Sequence, residues 1–204
     1  MPRENHREQL LRGAIACLRD RGYARTTARD IAAASGSNLG SIGYHFGSKE
    51  ALLNEAIREG FAEWTSQLAG IAFAEEGATP IERARASWVA LTESFAGHRP
   101  LIVAFVEALG QSVRSDELRS QLADIYEESR AAVARLVEAS LGATDVAEDQ
   151  LRAVATFMIA VCDGLMLQWL VDPKRAPSGA EVTAGLEAAL PLGLVQDPLG
   201  SHHP

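Results

Sequence analysis

Cysteine is scarce, with 2 in 204 residues, and aromatic residues make up only 6%. Cys17 and Cys162 each stand in apolar helical surroundings. Two cysteines without metal-like spacing exclude a disulfide framework and point to a reducing compartment. Alternating runs of β-branched residues are missing, and with them the pattern of a half-buried sheet. No phosphate loop and no nucleophile–base signature occurs. The histidines, His6, His45, His98, His202 and His203, are scattered, and the last two are too few to make a metal site. The expectation is therefore no enzyme, no cofactor and no metal. The N-terminus starts with charged residues and has no signal-like apolar core, which fits a cytoplasmic protein.

What remains is a hydrophobic content of 47% with abundant alanine. That composition favours closely packed helices, so the fold class is all-α, with about nine helices. The stretch from Thr27 to Glu50 organises the chain. Thr27 and Asp30 fit a capping box, and Ile31 to Ala34 make a short helix. Ser35-Gly36-Ser37 is a tight turn, with Gly36 free to take a positive φ. Asn38 is an N-cap for a second helix over about 39–46, and Ser48 caps the next. A helix, a glycine-containing turn and a second helix make the helix-turn-helix pattern, whose second helix enters the DNA major groove. Gly40 and Gly43 inside that second helix each cost about 1 kcal/mol against alanine. Packing alone would not select them, whereas close approach to a duplex would. The plainer alternative is a poor surface helix with Tyr44 and Phe46 as ordinary core aromatics.

These residues resemble the DNA-binding head of the TetR (tetracycline repressor) family of bacterial regulators. The resemblance is carried by Thr26-Thr27, Arg29-Asp30-Ile31-Ala32, Gly36, Gly40, Tyr44-His45-Phe46 and Ser48-Lys49-Glu50-Ala51-Leu52. It covers about a quarter of the chain. Two positions depart from it: Ser37 stands where the family mostly has an apolar residue, and Gly43 where it often has an aromatic. The resemblance implies a homodimer whose two heads read a palindromic operator, and a body that binds a small-molecule effector. Leu39, Gly40, Ser41 and Tyr44 are then candidates for base edges. Thr27, Arg29, Tyr44, His45 and Lys49 are candidates for phosphates, with Asn38 and Gly43 beside them.

The net charge of -8 divides unevenly. Residues 1–60 hold nine Arg and Lys against seven Asp and Glu, and the rest hold ten against twenty. A mildly basic head (Arg3, Arg7, Arg12, Arg25, Arg29, Lys49) would meet phosphates, and an acidic body would be repelled by them. The expected division is a DNA-binding domain over residues 1–50 and an effector-binding, dimerising domain over 51–204.

Apolar periodicity places a first helix over about 5–21 and a fourth over 48–68, linking head to body. Thr79-Pro80 starts a fifth, which ends near Ala96 before the breaker Gly97-His98-Arg99-Pro100. A sixth follows over 100–113 and a seventh over 116–141. Asp145 with Glu148 is expected to cap an eighth, reaching Val171, and Ser178 with Glu181 a ninth, reaching Leu190. The eighth is apolar all round. Asp163 and Gln168 within it and the lack of a basic flank argue against a membrane span. Burial on all sides then requires a partner chain. The family implies that these last two helices form the dimer interface. Effector candidates are the polar groups Glu107, Gln111, Tyr126, Arg130 and Asp163, with apolar walls from Trp88, Phe95, Phe105, Met158, Cys162, Met166 and Trp169. Asp163 is otherwise expected in a structural ion pair, for which Arg99 and Arg130 are conceivable partners, or in a helix-capping contact. Two other readings stay open on sequence: a ligand-independent or architectural DNA-binding protein, and a helical binding module without DNA function.

Overall fold

The computed structural model describes residues 5–142 and 146–189. Among them the chain forms eight α-helices and no strand: α1 His6–Arg21, α2 Ala28–Ser35, α3 Leu39–Phe46, α4 Lys49–Ala72, α5 Pro80–Ser112, α6 Asp116–Leu141, α7 Glu148–Val171 and α8 Gly179–Ala189. Helix starts follow the capping chemistry. Asn5, Asn38, Ser48 and Ser115 each accept a backbone N–H of the first turn. Thr27 and Thr79 form complete capping boxes with Asp30 and Glu82. The Ser178 N–H and hydroxyl both donate to the Glu181 carboxylate at 2.8 Å. Gly36 takes the left-handed conformation (φ 65°, ψ 20°), which lets the Ser37 N–H reach back to the Ala32 carbonyl at 3.1 Å and closes α2.

Three boundaries differ from expectation. The stretches 80–96 and 100–113 are one helix, α5, with Pro100 inside it. Eight helices result where about nine were expected. Proline removes the N–H that would bond the Ala96 carbonyl, at a cost of about 3 kcal/mol. Two features offset this. Ala96 lies on the exposed side, where water can meet its carbonyl. Phe95 (1% exposed) and Ile102 (0%) lie seven residues apart on the opposite face, and their burial holds the helix together across the proline. The second difference is α4, which runs one turn past Leu68. The third is α7, whose N-cap is Ala147 with no side-chain bond, so Glu148 is not the third residue of a capping box. Asp145, Leu190, Arg3 and the two C-terminal histidines lie outside the described residues.

Two apolar cores share a wall. The first joins α1–α4 to the α5–α6 base, through Leu10, Tyr23, Ile31, Ile42, Leu52 and Ile57 from the head and Ala104, Phe105, Leu122 and Ile125 from below. The second lies in the body, around Trp64, Trp88, Phe95, Ile102, Leu165 and Met166. Phe61 and Leu101 pack against both. The head is thus fused to α5 and α6 by continuous packing. At the far end, α8 sits on α5 so closely that a Cβ on Gly179 would collide with the Trp88 carbonyl. The Gly179 N–H donates to Thr92 Oγ1 at 3.0 Å there.

The apolar helix α7 is not buried all round within one chain. It is long and apolar enough to cross a membrane by composition. Here it packs on α6 and α5 and leaves Val154, Phe157, Leu167 and Val171 exposed.

Candidate DNA-reading helix and effector cavity

The candidate reading helix α3 is anchored by buried Ile42 and half-buried Phe46, and turns Leu39, Gly40, Gly43 and Tyr44 outward. Leu39 is 48% exposed and Tyr44 86%. Gly40 and Gly43 are exposed too, and open space lies beyond Gly43. Such exposure of large apolar and aromatic groups has no packing reason. Asn38 Oδ1 accepts both the Ser41 N–H at 2.9 Å and the Ser41 hydroxyl at 3.1 Å. The Ser41 proton is therefore directed to the cap, and its oxygen keeps only acceptor capacity outward. Tyr44 and His45 meet edge to face at 4.8 Å.

The phosphate candidates separate into two groups. Arg29 is exposed, and no described residue pairs with it. The Thr27 hydroxyl donates to Asp30 Oδ2 at 2.6 Å, within the capping box. The ammonium of Lys49 donates to the Thr26 carbonyl at 3.1 Å and sits 3.2 Å from Glu50, with its side chain 24% exposed. Lys49 is a strut between α4 and the loop before α2. Arg7 is likewise held, by Glu55 at 2.8 Å and by the face of Phe46.

In the body a cavity of about 480 Å³ lies between α4, α5, α6 and α7. Of the twelve effector candidates, Trp88, Phe105, Tyr126, Met158, Cys162, Asp163 and Met166 line it. The other five do not. Phe95 lies behind the wall, against Trp64 and Trp169. Trp169 packs in the same core. Glu107 points to the head and accepts the Ala24 N–H at 2.9 Å. Gln111 lies near the end of α5 and away from the cavity. Arg130 pairs with Glu127 at 2.6 Å.

Asp163 pairs with neither Arg99 nor Arg130. It accepts a hydrogen bond from the Tyr126 hydroxyl at 2.8 Å. Burial raises the Asp163 pKa above the ordinary carboxylate value, with the Tyr126 bond opposing it in part. Burial, then the Asp163 contact, raises that of Tyr126. Burial pushes the neighbouring Cys162 thiol up to about 12, so it is no nucleophile. Sequence reasoning missed Arg83, Phe61, Trp64 and the α6 wall of Ser129, Val133, Leu136, Val137 and Ser140. The α6 group was legible as a second stripe with spacings of four, three, one and three.

A model of the tetR family of bacterial regulatory proteins matches residues 10–56. A model of the C-terminal part of BetI-type transcriptional repressors matches residues 80–191, more than half of the chain. The chain belongs to the TetR family. It is a helix-turn-helix transcription regulator, and its all-α fold is the fold of that family. The HTH-type transcriptional repressor DhaR of Mycobacterium sp. (strain GP1) is 28% identical over 94% of this chain and 96% of its own. The repressor KstR2 of Mycobacterium tuberculosis is 34% identical over half of each chain. Among solved structures, the multidrug binding protein EbrR complexed with imidazole superposes with a TM-score of 0.61 at 26% identity, covering 96% of this TetR-family chain and 98% of EbrR.

Proposed function

We propose that this protein is a ligand-responsive repressor that binds a palindromic operator as a homodimer and releases it when a small, largely apolar molecule fills the cavity. One observation carries the reading: the cavity walls Phe61, Phe105 and Ile125 also belong to the core that seats the head. A ligand that repacks those side chains changes how the head is held. Ligand pockets are commonly of this size and apolar character. The repressor names of DhaR and KstR2 and the multidrug binding of EbrR support the same reading.

Each head places α3 in a major groove, and the twofold sets the half-sites about 34 Å apart or somewhat more. Leu39, Gly40, Ser41 and Tyr44 face base edges, with Leu39 suited to a thymine methyl. Arg29 and His45 face phosphates beside the Ser48-capped start of α4, and Thr27 meets a phosphate only if its hydroxyl leaves Asp30. The DNA-binding unit ends where α4 begins, and α4 links it to the body. The homodimer forms through α7 and α8. Val154, Phe157 and Val171 fall on one stripe of α7 at spacings of three and fourteen, and Leu186 of α8 is exposed as well. A second copy covers that surface. The protein acts in the cytoplasm, and the ligand releases operator because it binds the other head spacing more tightly.

The test uses a cavity-blocking variant. Compounds that raise the operator Kd of the wild type are applied to Val133→Trp, with dimerisation checked by sedimentation. The expected result is an intact dimer that binds operator and no longer responds. A dimer that still responds to the same compounds contradicts the cavity as the effector site.

A further inference from the structure

Of the residues lining the cavity, Arg83 and Asp163 alone are charged. They lie at opposite ends. Asp163 bonds to Tyr126, whose ring meets Phe105, which in turn meets Phe61. The Arg83 guanidinium sits 4.7 Å above the ring of Phe73. Phe61 on α4 and Phe73, which caps the C-terminal end of α4, are twelve positions apart, about 18 Å at a rise of about 1.5 Å per residue. Asp163 therefore does not neutralise Arg83.

Nothing else described does so either. Arg83 Nε is buried and has no hydrogen-bond partner among the described residues. Phe73 accepts no hydrogen bond from the guanidinium in the plane of its N–H groups, and no ion pair or side-chain hydrogen bond of Arg83 occurs among the described residues. The nearest carboxylate in sequence, Glu82, is turned back to accept the Thr79 N–H at 2.7 Å and the Thr79 hydroxyl. Glu187 of α8 is held by Arg85. A guanidinium keeps its charge at any working pH, and its planar fork matches an oxyanion in two parallel hydrogen bonds. A half-buried guanidinium at the end of an apolar cavity, with its Nε buried and unpartnered among the described residues, is a site suited to a negative ligand group.

We infer that the effector is an elongated apolar molecule ending in a carboxylate or similar oxyanion, which seats on Arg83. The inference rests on the cavity being the effector site. The apolar body lies along Leu68, Leu136 and Met158, and the far end reaches the Tyr126–Asp163 pair.

Laurate, lauryl alcohol and laurylamine share one chain and differ only at the head group. Their binding to the ligand-free dimer is measured by titration calorimetry, with wild type, Arg83→Gln, Arg83→Lys and Val133→Trp. Laurate is expected to bind wild type about tenfold or more tighter than the alcohol. Arg83→Gln erases that preference and leaves the alcohol affinity unchanged. Arg83→Lys, which keeps the charge and loses the fork, retains part of it. Equal affinity for all three, or preference for the amine, with Val133→Trp blocking each, overturns the anion assignment and leaves the cavity standing. Failure of all three to bind, or binding that Val133→Trp does not reduce, removes the cavity reading and this inference with it.

Discussion

The Glu107 carboxylate on α5 accepts a hydrogen bond from the backbone N–H of Ala24, between α1 and α2, at 2.9 Å. Two residues before it, Phe105 lines the cavity. Less than one turn of α5 thus carries both a cavity wall and a handle on the head. In Glu107→Ala the Ala24 amide loses a charged acceptor, a contact of about 1.5–3 kcal/mol. Its hydrogen exchange is expected to speed up at least tenfold, while Glu107→Gln, which keeps an acceptor, changes it less. Unchanged exchange in Glu107→Ala would mean that the contact does not hold the head.

Ser37 closes the helix-turn-helix turn with a buried hydroxyl that has no partner among the described residues. This is one of the two positions where the sequence departs from its family. A buried unpaired hydroxyl costs about 1–3 kcal/mol, and an apolar group of similar size does not carry that cost. Ser37→Val is expected to raise stability by about 1 kcal/mol in urea melts. A loss of stability would show that the hydroxyl has a function in the turn.

Arg29 and Lys49 separate under salt. Arg29 is exposed and unpaired among the described residues, so Arg29→Ala is expected to lower the salt slope of duplex binding by about 0.9. Lys49 is tied to the Thr26 carbonyl, so Lys49→Ala is expected to change the slope less and to lower the melting temperature. The opposite order in a filter-binding salt series would exchange their roles.

Asp163 sets a pH dependence. Its pKa in the fold is raised above 3.8 by burial, so the folded state holds the proton more tightly than the unfolded chain. Its contribution is most favourable below the unfolded value and is lost as pH rises through the raised one. Asp163→Asn keeps an acceptor for Tyr126 without the charge. It is expected to be more stable than wild type at neutral pH, with the difference shrinking as pH falls towards 4 in denaturant melts. A variant less stable at neutral pH would show that the buried charge is compensated.

The head was readable in the sequence because its signals are local. Thr27 with Asp30, Gly36, Asn38 and Ser48 each fix a helix end through a bond to a near neighbour, and the helix ends lie where those residues place them. Pro100 misled for the complementary reason. Its local cost is real, but Phe95 and Ile102 answer it through burial against distant helices, and that is invisible along the chain. The cavity was half legible. Tyr126, Cys162 and Asp163 were visible as polar or soft groups in apolar helices. Glu107 looked the same in sequence and belongs instead to the head junction, since only the packing of α5 on the α1–α2 loop decides which way it points. Arg83 carries no local signal in the sequence, because its isolation depends on Phe73 and on where Glu82 and Glu187 turn.

Selection of bound duplexes from a random pool by the purified protein, at physiological salt, tests the central claim most directly. The account predicts an enriched palindrome with half-site centres about one helical turn apart or somewhat more, bound by a dimer. Binding that enriches no sequence and vanishes as salt rises would contradict it, leaving a head that meets DNA through charge alone.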